Sequence, residues 1–251
     1  MGFRSSMNYY YAAFLCTTVL LPAALCYYGG DYSRATYYGR PDFLGTPTGA
    51  CGFGEYGRFV NDGRVTAVSR LYRGGSGCGA CYRVRCTIPE DCSEEGTRVV
   101  VTDYGEGDKT DFILSQAAFE GLARPYKAQH LFAYGVVGVE FKRVPCLYYR
   151  RFIFLVLPQS RYPAYLAIVP LYQPGTFDII AIEVFQADRG EWRPMRRAYG
   201  TVFDITDAPL GVITLRYKSV DYGDPESWVQ LNEVIPSDWK AGHAYEIEIP
   251  A

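Results

Sequence analysis

The distribution of cysteine most limits how this chain can fold, because all eight cysteines lie within the first 146 of its 251 residues. Six of them follow the N-terminal apolar segment: Cys51, Cys78, Cys81, Cys86, Cys92 and Cys146. An even number of cysteines in an oxidising compartment implies three disulfides. The region after residue 146 must be held together by its core alone. The sequence therefore predicts two domains, 27–146 and 147–251, with different kinds of internal support.

The N-terminal segment 1–26 has the pattern of a secretory signal peptide. Arg4 supplies positive charge, residues 9–25 are uncharged and largely apolar, and small residues precede a cleavage position after Cys26. The run is close to the lower limit of about 17 residues for a membrane-spanning helix, so a membrane anchor is the alternative. The pattern favours secretion, with no membrane association after cleavage.

Two further site classes are disfavoured by the composition. Cys78 and Cys81 have the CxxC spacing that can begin a zinc site, but such sites also need histidines or a second cysteine pair. The chain has only His130 and His243, which also disfavours a Ser–His–Asp triad. Disulfides are therefore predicted, and no metal or other cofactor is expected.

The charge balance argues against nucleic acid or an anionic membrane as partner. The net charge is −2, and basic and acidic residues number 14 and 14 in 27–146 and 10 and 13 in 147–251. Tyrosine is abundant, with 23 residues. This composition suits a neutral, polyhydroxylated partner such as a glycan, although tyrosines that fill sheet faces would give the same count.

The first region is predicted to be a small, disulfide-clipped β-barrel of short strands and glycine-rich loops. The apolar run 99–101 and the run 111–114 are strand candidates that flank a glycine-rich turn. Asp103 and Asp111 therefore lie on either side of one loop, where a carboxylate site would be expected. One helix is predicted at 115–123 with Ser115 as its N-cap, and 27–33 is expected to be a tail.

The second region is predicted to be an immunoglobulin-like β-sandwich. Seven apolar, alternating runs are separated by turn residues, without cysteine or a helical pattern. They are 152–157, 165–169, 177–185, 192–199, 212–217, 228–234 and 245–249.

Seven ordered motifs extend across both regions: TYYG at 36–39, GACGFG at 49–54, GCGACYRV at 77–84, VTD at 101–103, WRPM at 192–195, YG at 199–200 and PSDW at 236–239. With them the chain resembles the expansins, and is most similar to the expansin-like B group of plants. The resemblance implies a double-psi β-barrel related to family-45 endoglucanases, followed by a carbohydrate-binding β-sandwich. It also implies the disulfides Cys51–Cys78, Cys81–Cys146 and Cys86–Cys92.

The resemblance also implies that the barrel has no catalytic residue. An inverting glycosidase needs one carboxyl as acid and another as base. The position of the base falls at Gly39-Arg40, and Ile113 stands where expansins keep the other aspartate. Asp111, two residues away, is either a partial replacement or a solvated or loop-binding carboxylate.

Further positions match the substrate groove of the family. For Asp103 the alternatives are a place in that groove and an Asx turn. For Thr36 and Tyr38 they are a place in the groove and ordinary strand packing. In the second domain, Tyr165 and Tyr199 match the aromatic row that binds glucan. Strand parity over 192–199 places Arg193 and Arg197 on the face of Tyr199, and Trp192 in the core.

These observations predict a secreted, mostly all-β cell-wall protein that binds cellulose, xyloglucan or a related β-glucan as a monomer and does not hydrolyse it. One alternative is a weak glycan-cleaving enzyme that uses Asp103 or Asp111 alone. Another is a pure carbohydrate-binding or defence-associated module.

Overall fold

The structure is a computed structural model that describes residues 30–39, 42–107, 110–148, 151–221 and 225–247. The predicted signal peptide 1–26 and Arg40 lie outside these residues. The described chain forms a closed six-stranded barrel followed by a four-stranded and a five-stranded sheet. The predicted fold class is thus confirmed.

The barrel strands are β1 (Asp31–Tyr37), β2 (Val65–Val68), β3 (Cys81–Cys86), β4 (Thr97–Tyr104), β5 (Phe112–Leu114) and β6 (Val137–Arg143). Their order around the barrel is β1-β5-β2-β4-β3-β6, with β1/β5 and β2/β4 parallel. Val99, Val101, Phe112 and Leu114 are fully buried inside, as their apolar runs indicate. The segment 31–33 belongs to β1, because it pairs with β6, and is not part of a tail.

In the described part of the first domain, three short α-helices surround the barrel: α1 (Tyr56–Phe59), α2 (Gln116–Glu120) and α3 (Ala128–Tyr134). Ser115 caps α2 as predicted, and its hydroxyl accepts a hydrogen bond from the backbone N–H of Ala118. Helix α3 was not predicted from the sequence. It lacks a side-chain N-cap and buries only Leu131, so it shows neither a start signal nor an apolar stripe.

Three disulfides join Cys51 to Cys78, Cys81 to Cys146 and Cys86 to Cys92, which are the pairs that the resemblance implies. The first joins two glycine-rich loops to each other, and the second joins the start of β3 to the segment that follows β6. Within the described residues no cluster of histidine, cysteine and acidic side chains could hold a metal ion.

Over the described residues of 151–247, the sandwich has nine strands instead of the seven predicted runs. They are β7 (Phe152–Val156), β8 (Tyr165–Leu171), β9 (Asp178–Gln186), β10 (Glu191–Pro194), β11 (Arg196–Tyr199), β12 (Val202–Thr206), β13 (Ile213–Val220), β14 (Ser227–Ile235) and β15 (Ala244–Ile247). The sheets have the orders β10-β9-β13-β14 and β11-β12-β8-β7-β15. The run 192–199 splits around buried Met195 into two strands that belong to different sheets.

The five-stranded sheet is covered on both faces, which joins the two halves of the molecule. Phe154 and Leu166 pack toward the four-stranded sheet, whereas Leu155 and Val169 pack into the apolar cluster of the barrel. This explains why β7 is an unbroken apolar run and does not alternate. None of the helices in the described part of the chain is long and apolar enough to cross a membrane.

Candidate functional site

Tyr165 and Tyr199, both predicted to bind glucan, lie on the same face of the five-stranded sheet, the face that packs in part against the barrel. Tyr165 begins β8 opposite Thr206 of β12, and Tyr199 ends β11 opposite Val202 of β12. The ring of Tyr199 is 53% exposed, and Tyr165 is half-buried. Together with the groups that hold them, these rings are called the tyrosine face.

Asp204 of β12 holds two side chains of the tyrosine face, Tyr165 and Arg196, in position. Its side chain is almost fully buried, yet it accepts a 2.9 Å hydrogen bond from the hydroxyl of Tyr165. The guanidinium of Arg196 donates two more, at 2.9 and 2.6 Å. The bonds from Arg196 and then Tyr165 lower the pKa of Asp204. Burial, and then the bond to Asp204, raises the pKa of Tyr165, so its hydroxyl stays protonated.

Tyr199 rests against a loop of the barrel, because Gly52 leaves room for its ring. Asp103 holds this loop in place: its Oδ1 accepts hydrogen bonds from the backbone N–H groups of Ala50, at 2.6 Å, and Tyr104, at 2.8 Å. The main-chain N–H of Thr201 also donates to the carbonyl of Cys51 at 3.1 Å. Asp103 therefore acts on the tyrosine face through the loop, and its carboxylate is occupied by two backbone donors.

Aromatic rings of the barrel continue next to this loop. Tyr104, at the end of β4, is 44% exposed and lies 5.2 Å from the ring of Tyr72, measured between centroids. The hydroxyl of Tyr72 donates to the carbonyl of Ala50, so it supports the same loop from the other side. Sequence reasoning took Tyr104 as a turn residue and did not predict either ring as part of a site.

Thr36 and Tyr38, the other predicted groove residues, make contacts within the barrel domain. The hydroxyl of Thr36 donates a 2.8 Å hydrogen bond to the carbonyl of Gly135, and Tyr38 packs on a small apolar cluster of the barrel. Thr36 lies opposite Ile113, where the resemblance expects an acid. Gly105 covers Ile113 so closely that a Cβ there would come within 2.9 Å of the Ile113 Cδ1 atom.

Asp111 is a loop-binding carboxylate, which is one of the two readings that the sequence left open. One oxygen accepts hydrogen bonds from the hydroxyl of Ser33, at 2.7 Å, and from Arg70 Nε, at 2.8 Å. The other accepts from the hydroxyl of Ser69 at 3.1 Å. Only 13% of its side chain is exposed. Asp111 joins β1, the end of β2 and the start of β5, and it is not oriented as a free acid.

The parity prediction for 192–199 is wrong, because this segment is two strands and β11 contains an irregular register between Arg197 and Tyr199. Arg196, instead of Arg193 and Arg197, shares the face of Tyr199. Arg193 donates to the carbonyls of residues 206 and 207 at the sheet edge. Arg197 is turned inward, donates to the carbonyls of residues 179 and 200, and lies over a buried phenylalanine ring.

Trp192 is also not in the core. It is half-buried on the outer face of the four-stranded sheet, 5.2 Å from the ring of Phe185. The guanidinium of Arg216 lies 4.4 Å from its ring centroid. Asp204 and Arg196 are functional candidates that sequence reasoning missed. An acidic residue inside the apolar run of β12 (Val202–Thr206) is the signal that could have identified Asp204.

Comparison with known proteins places these features in a family. The family model described as "Expansin C-terminal domain" matches residues 154–236, and the family model described as "Lytic transglycolase" matches residues 64–141. Expansin-like B1 of Arabidopsis thaliana is 49% identical over 241 residues, which cover 94% of this chain and 95% of that protein. The chain belongs to the expansin-like family. Expansin-like B1 of Oryza sativa subsp. japonica is 39% identical, with 85% of each chain covered.

Solved structures with the same fold come from a bacterium. The apo expansin of Clavibacter michiganensis has a TM-score of 0.62 and 20% identity, and the match covers 86% of this chain and 94% of that chain. A mutant of the Clavibacter expansin, whose structure is described as a complex with cellohexaose, has a TM-score of 0.63 and 19% identity over the same shares. These matches show the common two-part architecture.

Proposed function

We propose that this protein is secreted into the plant cell wall, where it binds a β-glucan chain and changes wall organisation or extension without hydrolysis. The observation that carries the proposal is the tyrosine face. Buried Asp204 immobilises the hydroxyl of Tyr165, while the ring of Tyr199 stays open to solvent. Apolar C–H faces of sugars lie against such rings, and their hydroxyls stay in water.

The tyrosine face suits a neutral polymer. The positive charge of Arg196 is matched by Asp204, so the face offers aromatic area and hydrogen-bond donors without net charge. Membership of the expansin-like family and the cellohexaose complex of the bacterial relative support a cellulose-type glucan. The signal-peptide pattern of 1–26 supports secretion.

Non-hydrolytic action is supported by the state of the barrel carboxylates. A general acid must carry a proton and reach the glycosidic oxygen. Asp103 accepts two backbone N–H groups, and Asp111 accepts two hydroxyls and a guanidinium, so both carboxylates are engaged in hydrogen bonds within the fold. Ile113 stands at one of the two positions that the resemblance assigns to a catalytic carboxyl.

Binding is tested with the secreted full chain on insoluble cellulose. Tyr199→Ala should weaken binding several-fold, because one stacked ring contributes on the order of 1 kcal/mol. Trp228→Ala is the matched control, since it removes a ring that is 40% exposed on the opposite sheet. Binding should persist at high salt, because salt screens charges and not stacking. Equal losses in the two variants would place the binding face elsewhere.

Hydrolysis of the glucan is tested in a separate assay. Reducing-end release from cellulose, xyloglucan and mixed-linkage glucan should not exceed background. Turnover that disappears in Asp111→Asn would instead establish the enzyme. A wall-creep assay on the same protein then separates extension from binding alone: creep without hydrolysis supports the proposal, whereas cellulose binding without creep leaves a pure binding module.

A further inference from the structure

The outer face of the four-stranded sheet carries stacked aromatic rings that take no part in the proposed glucan binding. Along β13, Leu215 and Tyr217 are buried in the core, so Arg216 between them points outward. Its guanidinium carbon lies 4.4 Å from the ring centroid of Trp192 in β10 and 4.5 Å from that of Trp228 in β14. Arg216 and these two indoles are called the tryptophan stack.

The tryptophan stack is held in place before any ligand arrives. Glu183 of β9 accepts a 2.7 Å hydrogen bond from the Nε atom of Arg216, which fixes the guanidinium between the two indoles. The ring of Phe185 lies 5.2 Å from that of Trp192 and extends the aromatic surface. Trp228 is exposed, and Trp192 is half-buried. A partner therefore meets accessible rings whose positions are already set, so binding does not have to immobilise them.

The charges on this face are matched within the sheet itself. The guanidinium of Arg216 is paired with the carboxylate of Glu183. Lys218, the next outward residue of β13, forms an ion pair with Glu226 just before β14. A charged polymer therefore gains little net attraction here, and the tryptophan stack suits an uncharged partner.

The tryptophan stack contributes hydrogen-bond donors but no acceptors. An indole ring and a guanidinium group carry only N–H donors. Among the residues that the structure describes, neither Trp192 nor Trp228 finds an acceptor for its indole N–H. A matching partner therefore combines apolar rings with acceptors and carries few donors of its own.

We propose that the tryptophan stack binds a proline-rich peptide in the polyproline II conformation. Proline has an apolar ring and no N–H, so a run of prolines offers carbonyl acceptors without backbone donors. The polyproline II helix makes no internal hydrogen bonds, which leaves these carbonyls available. Aromatic-lined surfaces are the usual receptors for such helices. A sugar chain instead carries hydroxyls that also need acceptors. This inference goes beyond the proposed glucan binding and does not depend on it.

The spacing of the two indoles also agrees with this partner. Their centroids lie 4.4 and 4.5 Å from one shared guanidinium carbon, so they are no more than about 9 Å apart, which is close to one turn of a polyproline II helix, three residues with a rise of about 3.1 Å each. Prolines three positions apart lie on the same side of that helix and therefore meet Trp192 and Trp228 in turn.

The test measures the affinity of the full chain for a fluorescent oligoproline peptide by anisotropy. Trp228→Ala should bind the peptide about tenfold more weakly, because it removes both a ring and an N–H donor from the stack. The matched control is Tyr126→Ala, which removes a fully exposed ring from the barrel domain and should leave the affinity unchanged. A Gly-Ser peptide of the same length is a flexible coil and should not bind.

A second variant tests the stacked arrangement instead of a single ring. Arg216→Lys keeps the positive charge that Glu183 pairs with, but its ammonium group lacks the planar guanidinium that lies between the two indoles. Peptide affinity should fall several-fold at a temperature where both proteins are folded, as thermal melting verifies. Unchanged affinity in this variant would contradict the proposal.

Four other results would overturn the proposal. They are no oligoproline binding by the unmodified protein, equal binding of the Gly-Ser peptide, equal losses in Trp228→Ala and Tyr126→Ala, and a loss of cellulose binding in Trp228→Ala that matches its loss of peptide binding. The last result would make this face a second glucan site. Tyr199→Ala should show the reverse pattern, with weakened cellulose binding and unchanged peptide binding, so the two binding proposals fail separately.

Discussion

The barrel and the sandwich use a buried aspartate in opposite ways. In the barrel, Asp111 receives three donors from two separate segments of chain, and it closes the end of the barrel. In the sandwich, Asp204 is more deeply buried, and both of its side-chain partners, Tyr165 and Arg196, belong to the tyrosine face. The difference teaches that the donors around a carboxylate, and not its presence in a groove-like motif, decide whether it supports the fold or shapes a binding face.

The largest expected effect is a loss of stability, and it tests whether Asp111 supports the fold of the barrel. Asp111→Ala leaves two hydroxyls and Arg70 without their acceptor, so the free energy of unfolding should fall by about 2–3 kcal/mol. Urea denaturation measures this loss. Cellulose binding measured below the transition should stay unchanged. If binding falls as much as stability does, Asp111 belongs to the binding surface and the comparison fails.

The corresponding change in the sandwich should act mainly on binding. Asp204→Asn replaces an acceptor of three hydrogen bonds by an amide that cannot accept all three, so Tyr165 and Arg196 lose their fixed positions. Cellulose affinity should fall about tenfold, which corresponds to about 1.4 kcal/mol. Tyr165→Phe serves as the control because it keeps the ring and removes only the hydroxyl. A pull-down isotherm in which Asp204→Asn binds like the unmodified protein would contradict the role of Asp204.

The smallest expected effect is the change of cellulose binding with pH. Because the pKa of Asp204 is lowered in the folded protein, its contribution is complete above the ordinary carboxyl pKa of about 3.9 and is lost as the pH falls through the lowered value. Cellulose binding should therefore be the same at pH 7 and pH 5 and should decline only below about pH 4. Isotherms across this range measure it. A decline between pH 7 and pH 5 would implicate another group.

The sequence predicted the parts of the fold that depend on local pattern. The buried run 99–101 and the alternating runs after residue 151 became strands, since apolar periodicity determines which face is buried. The resemblance, and not periodicity, identified Tyr165 and Tyr199, and the structure brings both to one face. Their role in binding stays a prediction.

The remaining site features depend on contacts that no local pattern records. Ser33 and Asp111 are 78 positions apart in the chain, so their hydrogen bond follows from the closure of the barrel. Arg193 and Arg197 were assigned to the face of Tyr199 because one strand was assumed where Met195 separates two. A single irregular position, between Arg197 and Tyr199, then reversed the alternation.

Two glycines at the junction of the domains have a mechanical consequence. Gly75 of the barrel and Gly200 of the sandwich have positive φ angles and lie backbone against backbone, and a Cβ on Gly75 would overlap the Gly200 carbonyl. Main-chain contact, reinforced by Asp178 with Arg73 and Arg143, therefore sets the angle between the two halves. The two halves therefore meet as rigid bodies, and a side chain at Gly75 would alter the angle between them without touching the rings of the tyrosine face.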